Sequence, residues 1–138
     1  MTKRILLVED NPTDEKLTVL AFKKCGVPHE LHVVRDGAEA LDYLRTNELP
    51  TVVLLDLHLP KIDGLEVLRI LRSEARTRSL PIVILTSSRE DEDIVSGYSL
   101  GANAYVRKPV EYAEFAATAR NLGVFWLTMN KPPPGVAS

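Results

Sequence analysis

Short apolar runs alternate along the chain with longer segments whose apolar residues recur at helical spacing. The runs are rich in Val, Ile and Leu and are bounded by turn residues, which is typical of parallel strands buried on both faces. We predict strands at about 4–9, 31–34, 52–56, 82–86 and 104–106. Helical segments begin near residues 12, 37, 65, 91 and 112. The pattern therefore predicts an α/β domain of five strand–helix units.

Polar residues of distinct chemistry follow four of these strands. Glu9 and Asp10 end the first strand, Asp56 ends the third, Thr86 ends the fourth, and Lys108 follows the fifth. In an open α/β sheet, ligands bind outside the carboxyl ends of the strands. We therefore expect these side chains to share one crevice. Three acids, a hydroxyl and an ammonium suit a divalent metal and a phosphoryl group.

Asp56 is the candidate phosphoacceptor. In a doubly wound, flavodoxin-like sheet of strand order 2-1-3-4-5, Asp56 ends the central strand, and a carboxylate is a competent nucleophile for phosphorus. Glu9 and Asp10 would end the neighbouring strand, roughly 5 Å away. Carboxylates packed so closely repel one another unless a cation lies between them, and oxygen ligands open to water favour Mg²⁺. Thr86 and Lys108 would donate to phosphoryl oxygens.

These motifs together resemble the receiver domains of two-component response regulators. The resemblance covers almost the whole chain and rests on the site residues in order, Glu9-Asp10, Asp56, Thr86 and Lys108-Pro109, with the segments LPKIDG, DGAEALDYL and GANAYVRKPV. The C-terminal segment VFWLTMNK is similar to the small single-domain regulators that partner phytochrome histidine kinases. The resemblance implies phosphotransfer from a histidine kinase, Mg²⁺ as the metal, and no enzymatic action on a separate substrate.

The resemblance also implies roles for individual residues. His58 would supply its backbone carbonyl as a further metal ligand, and Tyr105 would be the switch aromatic that works with Thr86. The peptide bond before Pro109 would be cis and would aim the lysine into the crevice. The residue types at His58 and Ser88, on either side of the path of a hydrolytic water, would tune the lifetime of the phosphoryl group.

Local sequence patterns give two further expectations near the site. Tyr105 interrupts the buried pattern of the fifth strand, so we expect it to face the outer surface. Gly64 follows the third strand closely, and we expect it to supply a turn with positive φ beside the site.

Composition narrows the class of protein. The chain has 138 residues, 45% of them hydrophobic, and a net charge of −2 without a basic stripe, so we expect no nucleic-acid partner. Cys25 is the single cysteine, which excludes an intrachain disulfide and favours a reducing, cytoplasmic compartment. The apolar runs are too short for a signal peptide or a membrane span, so we expect no membrane association.

The C-terminal region has an unusual apolar cluster. Phe125, Trp126 and Leu127 extend it past the expected core face of the last helix. A helix with one face in water should not be apolar all round, so this segment either folds back over its own domain or is covered by another subunit. We favour a homodimer through these three residues.

The same C-terminal region bears on domain organisation. We expect a receiver domain over 1–130 and an extended Pro-rich tail over 131–138. Because we expect no output domain after this tail, the signal would pass by docking to a target that the sequence does not identify.

Two other functions fit part of the pattern. A Mg²⁺-dependent phosphohydrolase with an aspartyl-phosphate intermediate would use the same acids. A phosphatase of the haloacid dehalogenase type, however, would need a second aspartate where His58 stands. An FMN carrier is disfavoured because the acidic loop between Glu9 and Asp14 would repel the phosphate of the cofactor. The leading hypothesis is a signalling module controlled by phosphorylation.

Overall fold

The computed structural model describes residues 2–134 of the chain. Within that range five strands and five helices alternate, with these bounds: β1 (Lys3–Val8), α1 (Pro12–Lys23), β2 (His29–Val34), α2 (Gly37–Thr46), β3 (Val52–Leu55), α3 (Gly64–Ser73), β4 (Ile82–Thr86), α4 (Asp91–Ser99), β5 (Ala104–Arg107) and α5 (Tyr112–Val124). A π-helical segment, Phe125–Met129, continues directly from α5. The predicted elements are all present, and their ends differ from the prediction by at most about two residues.

The strands form one parallel sheet in the order β2-β1-β3-β4-β5. The prediction of a flavodoxin-like, doubly wound sheet is therefore confirmed. This order puts β3 at the centre of the sheet, and all four of its residues are buried. Because the strands are parallel, the loops that follow β1, β3, β4 and β5 meet at the same edge.

The core consists of two apolar layers, one on each face of the sheet. Alternate residues of β1 point in opposite directions, so Leu6 and Val8 join the layer under α2 and α3, whereas Ile5 and Leu7 join the layer under α1 and α5. Burial on both faces explains why β1, β3 and β4 are continuous apolar runs, whereas the edge strands β2 and β5 are only partly buried. Among the described residues, no helix is long and apolar enough to cross a membrane.

The loop after β3 folds tightly back over the end of its own strand. The N–H of Gly64 donates to the carbonyl of Leu57 (2.9 Å), and a Cβ at Gly64 would clash with the Asp56 carbonyl. The expectation of a positive φ at Gly64 is wrong, since Lys61 is the residue of this loop in the left-handed region, with φ of 67°. Glycine is needed at 64 for close approach of the backbone, not for its dihedral freedom.

The C-terminal apolar cluster divides between the core and the surface. Trp126 is 9% exposed and Leu127 is 2% exposed, and both belong to the layer under α1 and α5. Phe125 and Met129, in contrast, are 45% and 65% exposed. The assignment of Trp126 and Leu127 to a subunit interface is therefore corrected, because both side chains cover the core of their own protomer.

The chain after the π-helical segment has no helix or strand over 131–134. The remainder of the predicted Pro-rich tail, 135–138, lies outside the described residues.

Substitutions in this segment distinguish the core residue from its exposed neighbour. Trp126→Ala should lower the free energy of unfolding by about 3 kcal/mol or more, because it removes a large aromatic from a packed layer. Phe125→Ala should lower that free energy by clearly less, since Phe125 is already 45% exposed and its ring packs edge-to-face on Trp126. Urea unfolding at several protein concentrations measures both. Equal losses in the two variants would contradict this division between core and surface.

Candidate functional site

Three acidic side chains converge at the carboxyl edge of the sheet. One carboxylate oxygen each from Glu9, Asp10 and Asp56 lie within 4.8 Å of one another. The N–H of Asp56 donates to the Val8 carbonyl (3.1 Å), which extends the pairing of β1 with β3 to the site itself. Glu9 and Asp56 are buried and Asp10 is exposed. Hard oxygen ligands with one side open to water fit a divalent cation such as Mg²⁺.

The ammonium of Lys108 lies among the acids of this crevice. It donates to Glu9 Oε1 (2.5 Å), Asp14 Oδ2 (2.9 Å) and Asp56 Oδ2 (3.0 Å), and the residue is only 5% exposed. An ammonium carries three protons, so these bonds use its whole donor capacity. The predicted reach of the lysine from β5 to the central strand is thus present in the structure.

The peptide bond between Lys108 and Pro109 is trans, so the expected cis bond is wrong. The lysine is placed instead by its backbone N–H, which donates to the Thr86 carbonyl (2.8 Å) at the end of β4. From there its four-carbon stem is long enough to cross the crevice.

Burial and pairing set the protonation of the crevice. Burial raises the pKa of Glu9 to about 7, against the opposing charge of Lys108. Burial would also raise the pKa of Asp56, but the charge of Lys108 and the hydroxyl of Thr86 together hold it below its ordinary value. Lys108 has a raised pKa despite its burial, because the carboxylates of Asp56 and Glu9 favour the charged ammonium. Asp56 is therefore an ionised carboxylate at neutral pH, as a nucleophile must be.

Both carboxylate oxygens of Asp56 have hydrogen-bond donors. Thr86 Oγ1 donates to Asp56 Oδ1 (2.8 Å), the backbone N–H of His58 reaches the same oxygen (3.3 Å), and Lys108 holds Oδ2. Thr86 is fully buried, so its hydroxyl is directed into the site by the surrounding sheet. The role of the His58 carbonyl as a metal ligand stays a prediction.

Asp14 is a site residue that the sequence analysis did not identify. It lies in the first turn of α1, where the side chain of Asn11 caps the helix by accepting from the N–H groups of Thr13 (2.9 Å) and Asp14 (3.0 Å). In the sequence analysis Asp14 enters only as the end of an acidic loop that would repel a cofactor phosphate. The available signal in the sequence was that Asp14 follows closely after Glu9 and Asp10. Only the fold shows that Asp14 pairs with Lys108.

Tyr105 lies on the face of the sheet that α2 and α3 cover, and it does not point into solvent. Its ring packs against the layer under α2 and α3, and its hydroxyl is buried. The expectation that it faces the outer surface is therefore wrong. Gly97 of α4 lies against the same ring: a Cβ there would touch the Tyr105 ring at an ordinary contact distance of 3.4 Å but would clash with Ile84 Cδ1 at 2.7 Å.

Comparison of sequences relates the chain to one family. A model described as the response regulator receiver domain matches residues 5–120. The probable methanogenesis regulatory protein FilR2 of Methanothrix harundinacea is 42% identical over 134 residues, covering 94% of this chain and 86% of FilR2. Response regulator Rcp1 of Synechocystis sp. is 34% identical over 131 residues, covering 91% of this chain and 89% of Rcp1.

Comparison of structures agrees with the sequence matches. The phosphorylated cyanobacterial phytochrome response regulator RcpA superposes with a TM-score of 0.92 at 37% identity, over 96% of this chain and 99% of RcpA. The Mn²⁺-bound form of Rcp1 superposes with a TM-score of 0.90 at 34% identity, over 95% of this chain and 99% of Rcp1.

Removal of the crevice ammonium should be costly to stability. Lys108→Ala leaves buried carboxylates without their cation, so at pH 8 in chelator we expect the free energy of unfolding to fall by about 3 kcal/mol. Mg²⁺ should recover part of this loss, since it neutralises the same oxygens. Lys61→Ala removes an exposed ion pair with Asp36 and should have little effect. Thermal unfolding of the two variants decides this, and a wild-type midpoint for Lys108→Ala would refute the role of the ammonium.

Proposed function

The chain belongs to the response regulator receiver family, and on this basis we propose that it accepts a phosphoryl group from a histidine kinase onto Asp56. The observation that carries the proposal is the geometry of Asp56, held at the end of the central strand beside two further acids and the Lys108 ammonium. In the transfer, an Asp56 oxygen forms a bond to phosphorus, and the P–N bond of the kinase phosphohistidine breaks. The electron pair of that bond returns to the imidazole.

The acidic cluster supports Mg²⁺ as the metal. Receiver domains bind Mg²⁺ or Mn²⁺ at an acidic pocket, and Rcp1 has a Mn²⁺-bound form. In this chain Glu9, Asp10 and Asp56 would hold the ion, together with the His58 carbonyl. When bound, the ion neutralises negative charge on the phosphoryl group in transfer.

The donors around Asp56 link phosphorylation to structure. Once phosphorylated, the carboxyl group of Asp56 would no longer be charged, and the negative charge would lie on the phosphoryl oxygens. Those oxygens would then be the stronger hydrogen-bond acceptors. Thr86 and Lys108, which both donate to Asp56 in the unphosphorylated chain, would turn to those oxygens. Since the two donors terminate β4 and follow β5, their movement would carry the signal to the surface near Tyr105.

The partners follow from the family and from the names of the relatives. We propose a phytochrome-type histidine kinase in the cytoplasm as the first kinase to test, because RcpA is a phytochrome response regulator. FilR2 carries the name of a methanogenesis regulator, so the relatives do not all name one stimulus. We propose that the phosphorylated chain acts by docking to its target, and not as an enzyme. The phosphohydrolase alternative is less favoured because His58 occupies the position of its second aspartate.

We retain a homodimer as part of the proposal, with an interface that includes Phe125 but no longer Trp126 and Leu127. Phe125 and Met129 are exposed apolar residues on the π-helical segment. Because Phe125 is 45% exposed, Phe125→Ala should cost less stability than Trp126→Ala, and light scattering on this variant tests the dimer in a chain that still folds. A monomeric wild type at high concentration would remove the dimer from the proposal.

Asp56→Asn should abolish stable phosphorylation by a kinase or by acetyl phosphate, since the amide is not a nucleophile for phosphorus. Asp42→Asn, at an exposed acid of α2, is the matched control and should label as the wild type does. The measurement is incorporation of acid-stable, base-labile phosphate. Undiminished label in Asp56→Asn would place the acceptor elsewhere. Continuous turnover of small phosphate esters by the wild type would favour the phosphohydrolase instead.

Asp10→Asn should weaken Mg²⁺ binding by about tenfold or more, because it removes a charged ligand. Thermal stability should hold or rise, since the exposed Asp10 adds to repulsion among the acids. Titration calorimetry and a melting curve measure the two effects, with Asp42→Asn as the control. Equal phosphorylation of the wild type in excess chelator would be evidence against any metal role for Glu9 and Asp10.

A further inference from the structure

The ammonium of Lys108 is held from the side of the sheet opposite to its own strand. Lys108 follows β5, and β4 lies between β5 and the central strand β3. Of its three partners, Glu9 ends β1, on the other side of β3, and Asp14 belongs to the helix that follows β1. The lysine therefore reaches across the end of the central strand, and α1 supplies one of the groups that hold it there.

Two groups of carboxylates overlap in the crevice. The oxygens close enough to share a cation, within 4.8 Å of one another, come from Glu9, Asp10 and Asp56. The oxygens that accept from the ammonium come from Glu9, Asp14 and Asp56. Among the residues that the structure describes, Asp14 is not in the first group. A divalent cation would therefore compete with the ammonium for Glu9 and Asp56, and not for Asp14.

The competition is direct, because the two shared acids have their oxygens in use. Glu9 Oε1 accepts from Lys108, and Glu9 Oε2 accepts from the N–H of Asn11 (3.2 Å). Asp56 Oδ1 accepts from Thr86, and Asp56 Oδ2 accepts from Lys108. A cation bound by these oxygens repels the ammonium and weakens its bonds to them. A phosphoryl group on Asp56 would weaken one of these bonds further, since the carboxylate charge would be lost.

Asp14 is fixed to α1 through its backbone. Its N–H donates to Asn11 Oδ1 (3.0 Å), and its carbonyl accepts from Thr18 Oγ1 (2.8 Å). Thr18 is fully buried. Replacement of the Asp14 side chain leaves these two backbone contacts in place, so the helix end and the hold on the lysine can be tested separately.

We propose that Asp14 is a positioning residue, which keeps the Lys108 ammonium in the crevice when a divalent cation and a phosphoryl group draw on Glu9 and Asp56. The inference rests on the proposed function, because it concerns the loaded site. In the empty site Glu9 and Asp56 suffice to hold the ammonium. In the loaded site Asp14 is the partner whose negative charge stays with the lysine. Asp14 acts through Lys108 and takes no part in the bond-forming step.

The Lys108 ammonium itself provides the readout. Heteronuclear NMR detects a lysine ammonium whose protons exchange slowly with water because ion pairs hold it, and loss of the signal in Lys108→Met identifies it. In Asp14→Asn the signal should persist in chelator, since Glu9 and Asp56 still hold the ammonium. Saturating Mg²⁺ should then speed its proton exchange about tenfold or more, as expected for the loss of a charge-assisted hydrogen bond. In the wild type, Mg²⁺ should leave this exchange nearly unchanged.

Two further variants separate positioning from a structural role. Glu15→Gln removes an equal charge from the same turn of α1, but Glu15 pairs with Arg35 (2.9 Å), so this variant should behave as the wild type. Asp14→Glu keeps the carboxylate and should restore slow exchange. An Asp14→Asn variant that does not respond to Mg²⁺, whether the ion binds or fails to bind, would overturn the inference.

A double-mutant cycle between Asp14→Asn and Lys108→Met gives a second measurement. In urea unfolding, the coupling should rise about fivefold or more in the equilibrium constant when Mg²⁺ is added, and an unchanged coupling would count against the inference. Beryllofluoride, which stands in for the phosphoryl group, tests the proposed function separately. If it fails to bind the wild type in Mg²⁺, the phosphoacceptor proposal falls, and the exchange of the Lys108 ammonium in Mg²⁺ alone still decides the role of Asp14.

Discussion

The pairing of Lys108 with three carboxylates is the interaction on which the crevice depends. Glu9 ends β1, Asp14 lies in α1, and Asp56 follows β3, so one ammonium joins three separate parts of the chain. Burying an unpaired carboxylate costs several kcal/mol, and two of the four acids at this edge, Glu9 and Asp56, are buried. The Lys108 ammonium offsets the cost of bringing these acidic strand ends close together.

The same pairing would let the site combine reactivity with control under the proposed function. Lys108 and Thr86 hold the pKa of Asp56 below its ordinary value, as suits a nucleophile. Because both donate to Asp56 itself, a phosphoryl group added there would draw these donors away from the carboxylate. The proposed chemistry and the proposed conformational change would thus use the same hydrogen bonds.

The C-terminal segment shows why an apolar pattern does not identify its own partner. Phe125, Trp126 and Leu127 are consecutive apolar residues, so the sequence pattern does not distinguish the one that covers the core from the one that is exposed. The π-helical turn places Trp126 and Leu127 in the layer under α1 and α5 and leaves Phe125 partly exposed, with its ring edge-to-face against Trp126. An apolar helix face indicates that it packs against some other surface. The path of the backbone decides whether that surface belongs to the same protomer or to another.

By itself, the sequence determined the order of the strands and helices, the flavodoxin-like class and every crevice residue except Asp14. It did so because strands buried on both faces are continuous apolar runs, and because parallel strands collect their terminal polar residues at one edge. Only the tertiary structure decided that Asp14 pairs with Lys108, that Tyr105 turns inward beneath Gly97, and that Gly64 serves close packing. Asp14 and Lys108 are 94 positions apart, and the packing of Tyr105 and Gly64 depends on the path of the backbone between elements. Local patterns of polarity specify neither.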